Sequence, residues 1–148
     1  YAVTGEGRGP KFHRILFLDE DNSLLGPLAE AIARKNFAQS GEYHSRGRRA
    51  GVCTPHTLAA LQEVGIDLAR HQPQALGRHH QELASYQIIV SLQGPVSSYV
   101  EQIPFHTVAL EWRLTQSPGE NADLRPLTRE VSALVNRLMA TLRGEESD

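Results

Sequence analysis

Residues 12–18 read FHRILFL, a short, largely apolar run that stops at Asp19. Such a run, bounded by a turn, predicts a strand buried on both faces of a parallel sheet. After an acidic turn comes Gly26-Pro27, and in LAEAIARKNFA the residues Leu28, Ile32 and Phe37 recur at near-helical spacing. A helix is expected there with Pro27 at its first position, where a missing N–H costs nothing. Gly41 ends it, Glu42 to Ser45 predicts a short second strand, and Arg46 to Gly51 reads as loop. Thr54-Pro55 opens another helix: Thr is a good N-cap, Pro fits the first turn, and Leu58, Leu61 and Val64 form a stripe ending at Gly65. His71 to Gly77 reads as loop, Arg78 to Ala84 as a short helix, and Tyr86 to Leu92 as a third strand ended by Gly94-Pro95. A short helix over Val96 to Glu101 then leads to a fourth strand, His106 to Leu110. Beyond a loop at Ser117-Pro118-Gly119, Leu124 to Leu142 is a long amphipathic helix whose apolar stripe is Leu127, Val131, Leu134, Val135, Leu138 and Leu142.

Strands alternating with helices imply an α/β fold: a three-layer sandwich around a central, mainly four-stranded parallel sheet with right-handed crossovers. In such sheets ligands bind outside the carboxyl ends of the strands, which directs attention to Asp19 through Gly26.

Composition narrows the class. With 148 residues and 40% hydrophobic content, one domain with a proper core is expected over residues 12–143. Residues 1–11 read as a flexible tag or a linker from a larger protein, and 144–148 as a disordered acidic tail. One cysteine, Cys53, allows no internal disulfide, and no apolar run is long enough to span a bilayer. A cytoplasmic protein without a membrane partner is expected. The formal charge of -2 argues against nucleic acid, and Arg46, Arg48 and Arg49 read as a solvated basic loop.

The segment ILFLDEDNSLLGPLAEAIA resembles the low-molecular-weight protein tyrosine phosphatases and thioredoxin-coupled arsenate reductases: an apolar strand, a phosphate loop Cys-x5-Arg-Ser, and a helix opening Pro-x-Ala-Glu-Ala. His44-Ser45-Arg46-Gly47 resembles that family's Ser-Ala-Gly after the second strand. TPHTLAALQEVGIDLARHQPQAL resembles its Glu-x-Gly-Ile-Asp and His-x-Ser segments, and ELASYQIIVSL and HTVALEW its third and fourth strands. The resemblance covers residues 15–118 in order and implies the same fold.

The departures concern chemistry. The family's nucleophilic cysteine, phosphoryl-binding arginine and general-acid aspartate fall at Asp19, Leu25 and Ser117, with Asp123 a nearby stand-in for the acid. Asn22 matches the asparagine that helps shape the loop, and Pro27, Ala29, Glu30 and Ala31 match the helix start. Trp112 corresponds to an aromatic that lines the cleft rim, with core packing as the alternative. The degenerate loop is therefore Asp19, Glu20, Asp21, Asn22, Ser23, Leu24, Leu25 and Gly26. A like-charge pair about 4 Å apart costs roughly 4 kcal/mol at an effective dielectric near 20, more than a helix end returns, so a dianion is repelled if these carboxylates face inward. Alternatively Asp19 fills the anion nest itself and Glu20 and Asp21 point to water. The expectation is a catalytically inactive, phosphatase-like module that binds or regulates through an unidentified protein or small ligand, without cofactor.

FLDEDNSLL also resembles the first motif of haloacid-dehalogenase-type phosphatases, which implies Asp19 as nucleophile, Asp21 as general acid and a magnesium ion between them. No later lysine motif or acidic pair completes that site. Cys53 lies before Pro55 and away from the phosphate loop in sequence, so no thiol chemistry is expected from it. His79, His80 and Glu82 read as helix surface rather than as zinc ligands.

Overall fold

The computed structural model describes residues 13–76, 83–115 and 123–143. Its elements are β1 (His13–Asp19), α1 (Leu25–Asn36), β2 (Gly41–Gly47), α2 (Pro55–Glu63), β3 (Ile88–Ser91), β4 (Val108–Glu111) and α3 (Arg125–Arg143), with a 3₁₀ turn at Val96–Ser98. The strands form a parallel sheet in the order β2-β1-β3-β4.

Strand β1 is central, which explains its unbroken run of apolar residues. Ile15 and Phe17 face the larger core with Leu28 and Ile32 of α1, Leu61 of α2, and Leu127, Val131 and Val135 of α3. Leu16 and Leu18 face the other side, against Leu83, Tyr86, Ile89, Val96 and Val100. Where the strand is covered on both faces, from Ile15 to Leu18, no position is left for a polar side chain. β4, at the sheet edge, leaves Val108 and Ala109 exposed.

Five elements differ in their bounds from the sequence pattern. β1 runs one residue further, to Asp19, because Asp19 still pairs with Gly47 of β2. β2 spans seven residues rather than four; its inward residues are Gly41, Tyr43, Ser45 and Gly47, a weak apolar signal completed by pairing with β1. β3 and β4 are shorter than Tyr86 to Leu92 and shifted from His106 to Leu110. Helix α1 begins at Leu25, so Pro27 is its third residue rather than its first. The first four N–H groups of a helix lack intrahelical acceptors, so proline is tolerated throughout that turn.

Helix α2 starts as its sequence dictates, with Pro55 following the N-cap Thr54, whose side chain accepts the Thr57 N–H. On α3 Met139, outside the expected stripe, is buried, while Leu134 is only partly so. The segment expected as a helix at Arg78 to Ala84 is described only from Leu83 onward, so His79, His80 and Glu82 lie outside the described residues, as do Ser117 and both termini. Among the described residues no helix is long and apolar enough to cross a membrane.

Candidate functional site

The site is built at the carboxyl end of β1. Asp19 is only 1% exposed, with its carboxylate turned into the loop that follows it. Oδ1 accepts the Asn22 N–H at 2.8 Å and Oδ2 accepts the Gly26 N–H at 2.9 Å. Gly26 is the second residue of α1, and the N-cap Leu24 contributes no side-chain hydrogen bond. Asp19 thus caps α1 from seven residues upstream, placing a carboxylate at the positive end of the helix dipole. The fit is tight, since a Cβ on Gly26 would lie 3.3 Å from the Asp19 carboxyl carbon. Other donors of the loop are also taken: the Glu20 N–H by Gln93 Oε1 at 2.8 Å, and the Ser23 N–H and hydroxyl by Asp21 Oδ1 at 3.2 and 2.6 Å.

Asn22 holds the loop's shape. Its φ of 57° is left-handed, a conformation asparagine tolerates better than most residues. Its side-chain Nδ2 donates to Ser45 Oγ at 3.0 Å, and Oδ1 accepts the Gln74 N–H at 2.8 Å. Its carbonyl accepts from His71 Nε2 at 2.8 Å, which assigns the proton to that ring nitrogen. Ser45 in turn donates to Glu30 at 2.6 Å, and Glu30 pairs with Arg34 at 2.7 Å. The loop is therefore tied to β2, to α1 and to residues 71–74, and the Gly47–Ala75 bridge fastens that last segment to β2. Neither His71 nor Gln74 stood out in the sequence as a site residue; the signal was the HQPQ stretch following GIDLAR.

The chain after β2 closes the loop from the other side. Arg48 N–H donates to the Asp19 carbonyl at 3.0 Å, Arg49 N–H to Glu20 at 3.0 Å, and Gly51 N–H to Asp21 at 2.7 Å. A Cβ on Gly51 would fall 2.7 Å from the Asp21 side chain, so only glycine admits this approach. The basic stretch is thus more than a solvated loop. Arg48 and Arg49 are exposed but approach Glu20 at 4.0 and 3.7 Å, and Arg46 Nη1 donates to the Ser45 carbonyl at 2.7 Å.

Cys53 also requires correction, because the fold brings it to the loop: its Sγ donates to the Ser23 carbonyl at 3.3 Å. Burial and the Asp21 and Asp19 carboxylates push its pKa up, which holds it as a thiol. Reactive cysteines sit in the opposite, electropositive setting.

Burial raises the Asp19 pKa to about 6, partly opposed by the Gly26 and Asn22 N–H groups, raised further by Asp21 and lowered by His71. Leu25, at the position where the resemblance expects arginine, is buried in the larger core. Trp112 is half-buried with its ring centroid 6.0 Å from that of Phe17, a packing role. Asp123 is paired with Arg125 at 2.9 Å, whose side chain and N–H hold its carboxyl below the usual range, so it is a poor proton donor. Among the described residues, no group of three or more His, Cys, Asp or Glu side chains is gathered as for a metal ion. Asp19 and Asp21 are neighbours, but both Asp19 oxygens are engaged by backbone donors.

No family model matches the chain. It is similar to an arsenate reductase of Brevibacillus brevis, 24% identical over 128 residues that cover 86% of this chain and 94% of the relative. It is also similar to a glutaredoxin arsenate reductase of Synechocystis sp., 22% identical over 130 residues, 87% and 98% of the two chains. A solved arsenate reductase in its phosphate-binding state superposes with a TM-score of 0.70 at 21% identity, covering 87% of this chain and 98% of that one. A low-molecular-weight protein tyrosine phosphatase from T. tengcongensis superposes with a TM-score of 0.65 at 20% identity, covering 87% and 99%. With the four-stranded parallel sheet and its helices, these likenesses identify the fold as the one shared by low-molecular-weight tyrosine phosphatases and arsenate reductases.

Proposed function

We propose that this chain is a catalytically silent relative of the low-molecular-weight tyrosine phosphatases and arsenate reductases, and that it acts as a binding or regulatory module. The observation that carries the reading is the Asp19 carboxylate seated on the Asn22 and Gly26 N–H groups at 2.8 and 2.9 Å. The Asn22 and Gly26 N–H groups, donors of the kind that hold a phosphoryl group at a helix N-terminus, are already satisfied from within the chain. Losing a nucleophile costs several orders of magnitude in rate, and Leu25 offers none of the bidentate stabilisation an arginine gives. Arsenate reduction needs a nucleophilic thiol and a relay of further cysteines, whereas this chain has one cysteine, with a raised pKa.

The test is hydrolysis of a generic aryl phosphate across a pH series, with chelator and with added magnesium, alongside arsenate-dependent thiol oxidation and an Asp19→Asn control. No turnover above the control is expected in any condition. Metal-independent turnover at an ordinary enzyme's rate overturns the reading. Magnesium-dependent turnover abolished by Asp19→Asn replaces it with the alternative, a phosphatase using Asp19 as nucleophile or magnesium ligand.

A further inference from the structure

A groove of about 800 Å³ lies beside the closed loop, between α1, the edge strand β2 and residues 65–74. That volume suits a small organic molecule. Arg34 and Lys35 project from the last turn of α1, Arg46 from β2, and Arg70 from the facing segment. Two carboxylates line the same space, and both are engaged. Glu30 receives the Ser45 hydroxyl at 2.6 Å and pairs with Arg34 at 2.7 Å, while Asp67 Oδ1 accepts the Ala69 N–H at 3.0 Å.

Lys35 and Arg70 are exposed and have no ion-pair or hydrogen-bond partner among the described residues. The Lys35 ammonium extends over Gly65, where a Cβ would lie 3.7 Å from Nζ. The dipole of α1 accounts for cations in its last turn. It does not account for Arg46 and Arg70 meeting them from two other elements, against carboxylates that are already occupied. Cations lining a concave surface concentrate anions there, and guanidinium forks suit phosphoryl and carboxyl groups.

We propose that this groove binds a small polyanion carrying two or more phosphoryl or carboxyl groups, held by Lys35 and Arg70 on opposite walls with Arg34 and Arg46 between them. The inference builds on the reading of the chain as a binding module, by naming its ligand class, and places the ligand outside the acidic loop. Turnover in the phosphatase assay would sink the silent-module reading and leave the groove untouched; failure of the groove would leave the closed loop untouched.

The experiment titrates the full chain with inorganic pyrophosphate and with citrate, followed by calorimetry and backbone amide resonances, at an ionic strength of about 0.15 M where weak surface attraction is screened. At least one probe is expected to bind with a Kd of about 1 mM or tighter, and to shift the amides of Lys35, Gly65 and Arg70 more than those of Glu20 and Asp21. Preference for pyrophosphate assigns phosphoryl ligands, preference for citrate assigns carboxyl ligands, and equal binding assigns polyanions generally. Lys35→Gln/Arg70→Gln should weaken binding at least about tenfold, with Lys35→Gln alone giving a smaller loss. Both side chains are exposed, so an unchanged thermal transition will show that the variants are folded. Binding of neither probe, or wild-type binding by the double variant, overturns the proposal.

Discussion

The acidic loop and the cationic groove share Asn22 as a common wall, yet they handle charge in opposite ways. In the loop, Asp19, Glu20 and Asp21 are answered within the chain, by the N–H groups of Asn22 and Gly26, by Arg48 and Arg49, and by Ser23. In the groove the cations outnumber the carboxylates, and Lys35 and Arg70 are unanswered among the described residues. The loop keeps the backbone form of an anion nest, including a left-handed Asn22 and a helix N-terminus. What decides whether such a nest holds an external anion is whether its donors already have an acceptor. Here one aspartate at the nest's own entrance supplies it.

The contrast is broken most severely by Asn22→Ala. That change removes the acceptor of the Gln74 N–H and the donor to Ser45, and it leaves alanine at a φ of 57°. A loss of about 2–4 kcal/mol is expected from the part-buried Gln74 N–H left without its acceptor, the lost hydrogen bond to Ser45 and backbone strain, read by urea unfolding. No comparable loss is expected from the groove variants, because Lys35 and Arg70 make no hydrogen bond or ion pair among the described residues.

Next in size is the pH dependence of stability. Asp19 has a folded pKa of about 6 against an ordinary value of 3.8. As pH falls through about 6 the folded state takes up the proton first, so Asp19 adds stability until the unfolded chain also protonates near 3.8. The gap of about two pKa units corresponds to about 3 kcal/mol at most between neutral pH and pH near 4. The difference between wild type and Asp19→Asn, measured by chemical unfolding across that range, should carry this slope. A flat difference would place the Asp19 carboxylate in water rather than inside the loop.

Gly51→Ala should cost about 1–3 kcal/mol, because its Cβ would overlap the Asp21 side chain and overpacking of this kind must be relieved by local shifts. It should also raise the susceptibility of Cys53 to alkylation, since the same displacement loosens the contact of Sγ with Ser23. The smallest effect belongs to Glu20→Gln. Its partners are exposed arginines at 3.7 and 4.0 Å, so a change below about 0.5 kcal/mol that fades in high salt is expected. A larger loss would mean that the loop depends on charge pairing, which the contrast assigns only to its rim.

Much of the fold was legible along the chain. Thr54-Pro55 marked α2 because an N-cap hydroxyl and a first-turn proline are local devices, satisfied by residues within three positions. β1 was visible because coverage on both faces makes every central position apolar, and the rule that ligands sit at carboxyl strand ends pointed to Asp19 through Gly26. The start of α1 was less legible. Proline is acceptable anywhere in the first turn, and the actual cap, Asp19, reaches Gly26 from outside the helical pattern. β2 was underestimated because Ser45 and Gly47 face inward, where they serve the loop network and the close approach of neighbouring chain rather than a hydrophobic core.

By itself the sequence determined the alternation of strands and helices, the place of the loop, and the presence of Asp19 and Leu25 where the resemblance expects cysteine and arginine. These follow from local periodicity, capping chemistry and residue identity. Tertiary structure alone decided that the Asp19 carboxylate faces inward, that Cys53 reaches Ser23, and that His71 and Gln74 secure Asn22. It also decided that four cations from α1, β2 and residues 65–74 line one groove. Such contacts join residues up to 52 positions apart, and no periodicity reports the direction of a side chain across that distance.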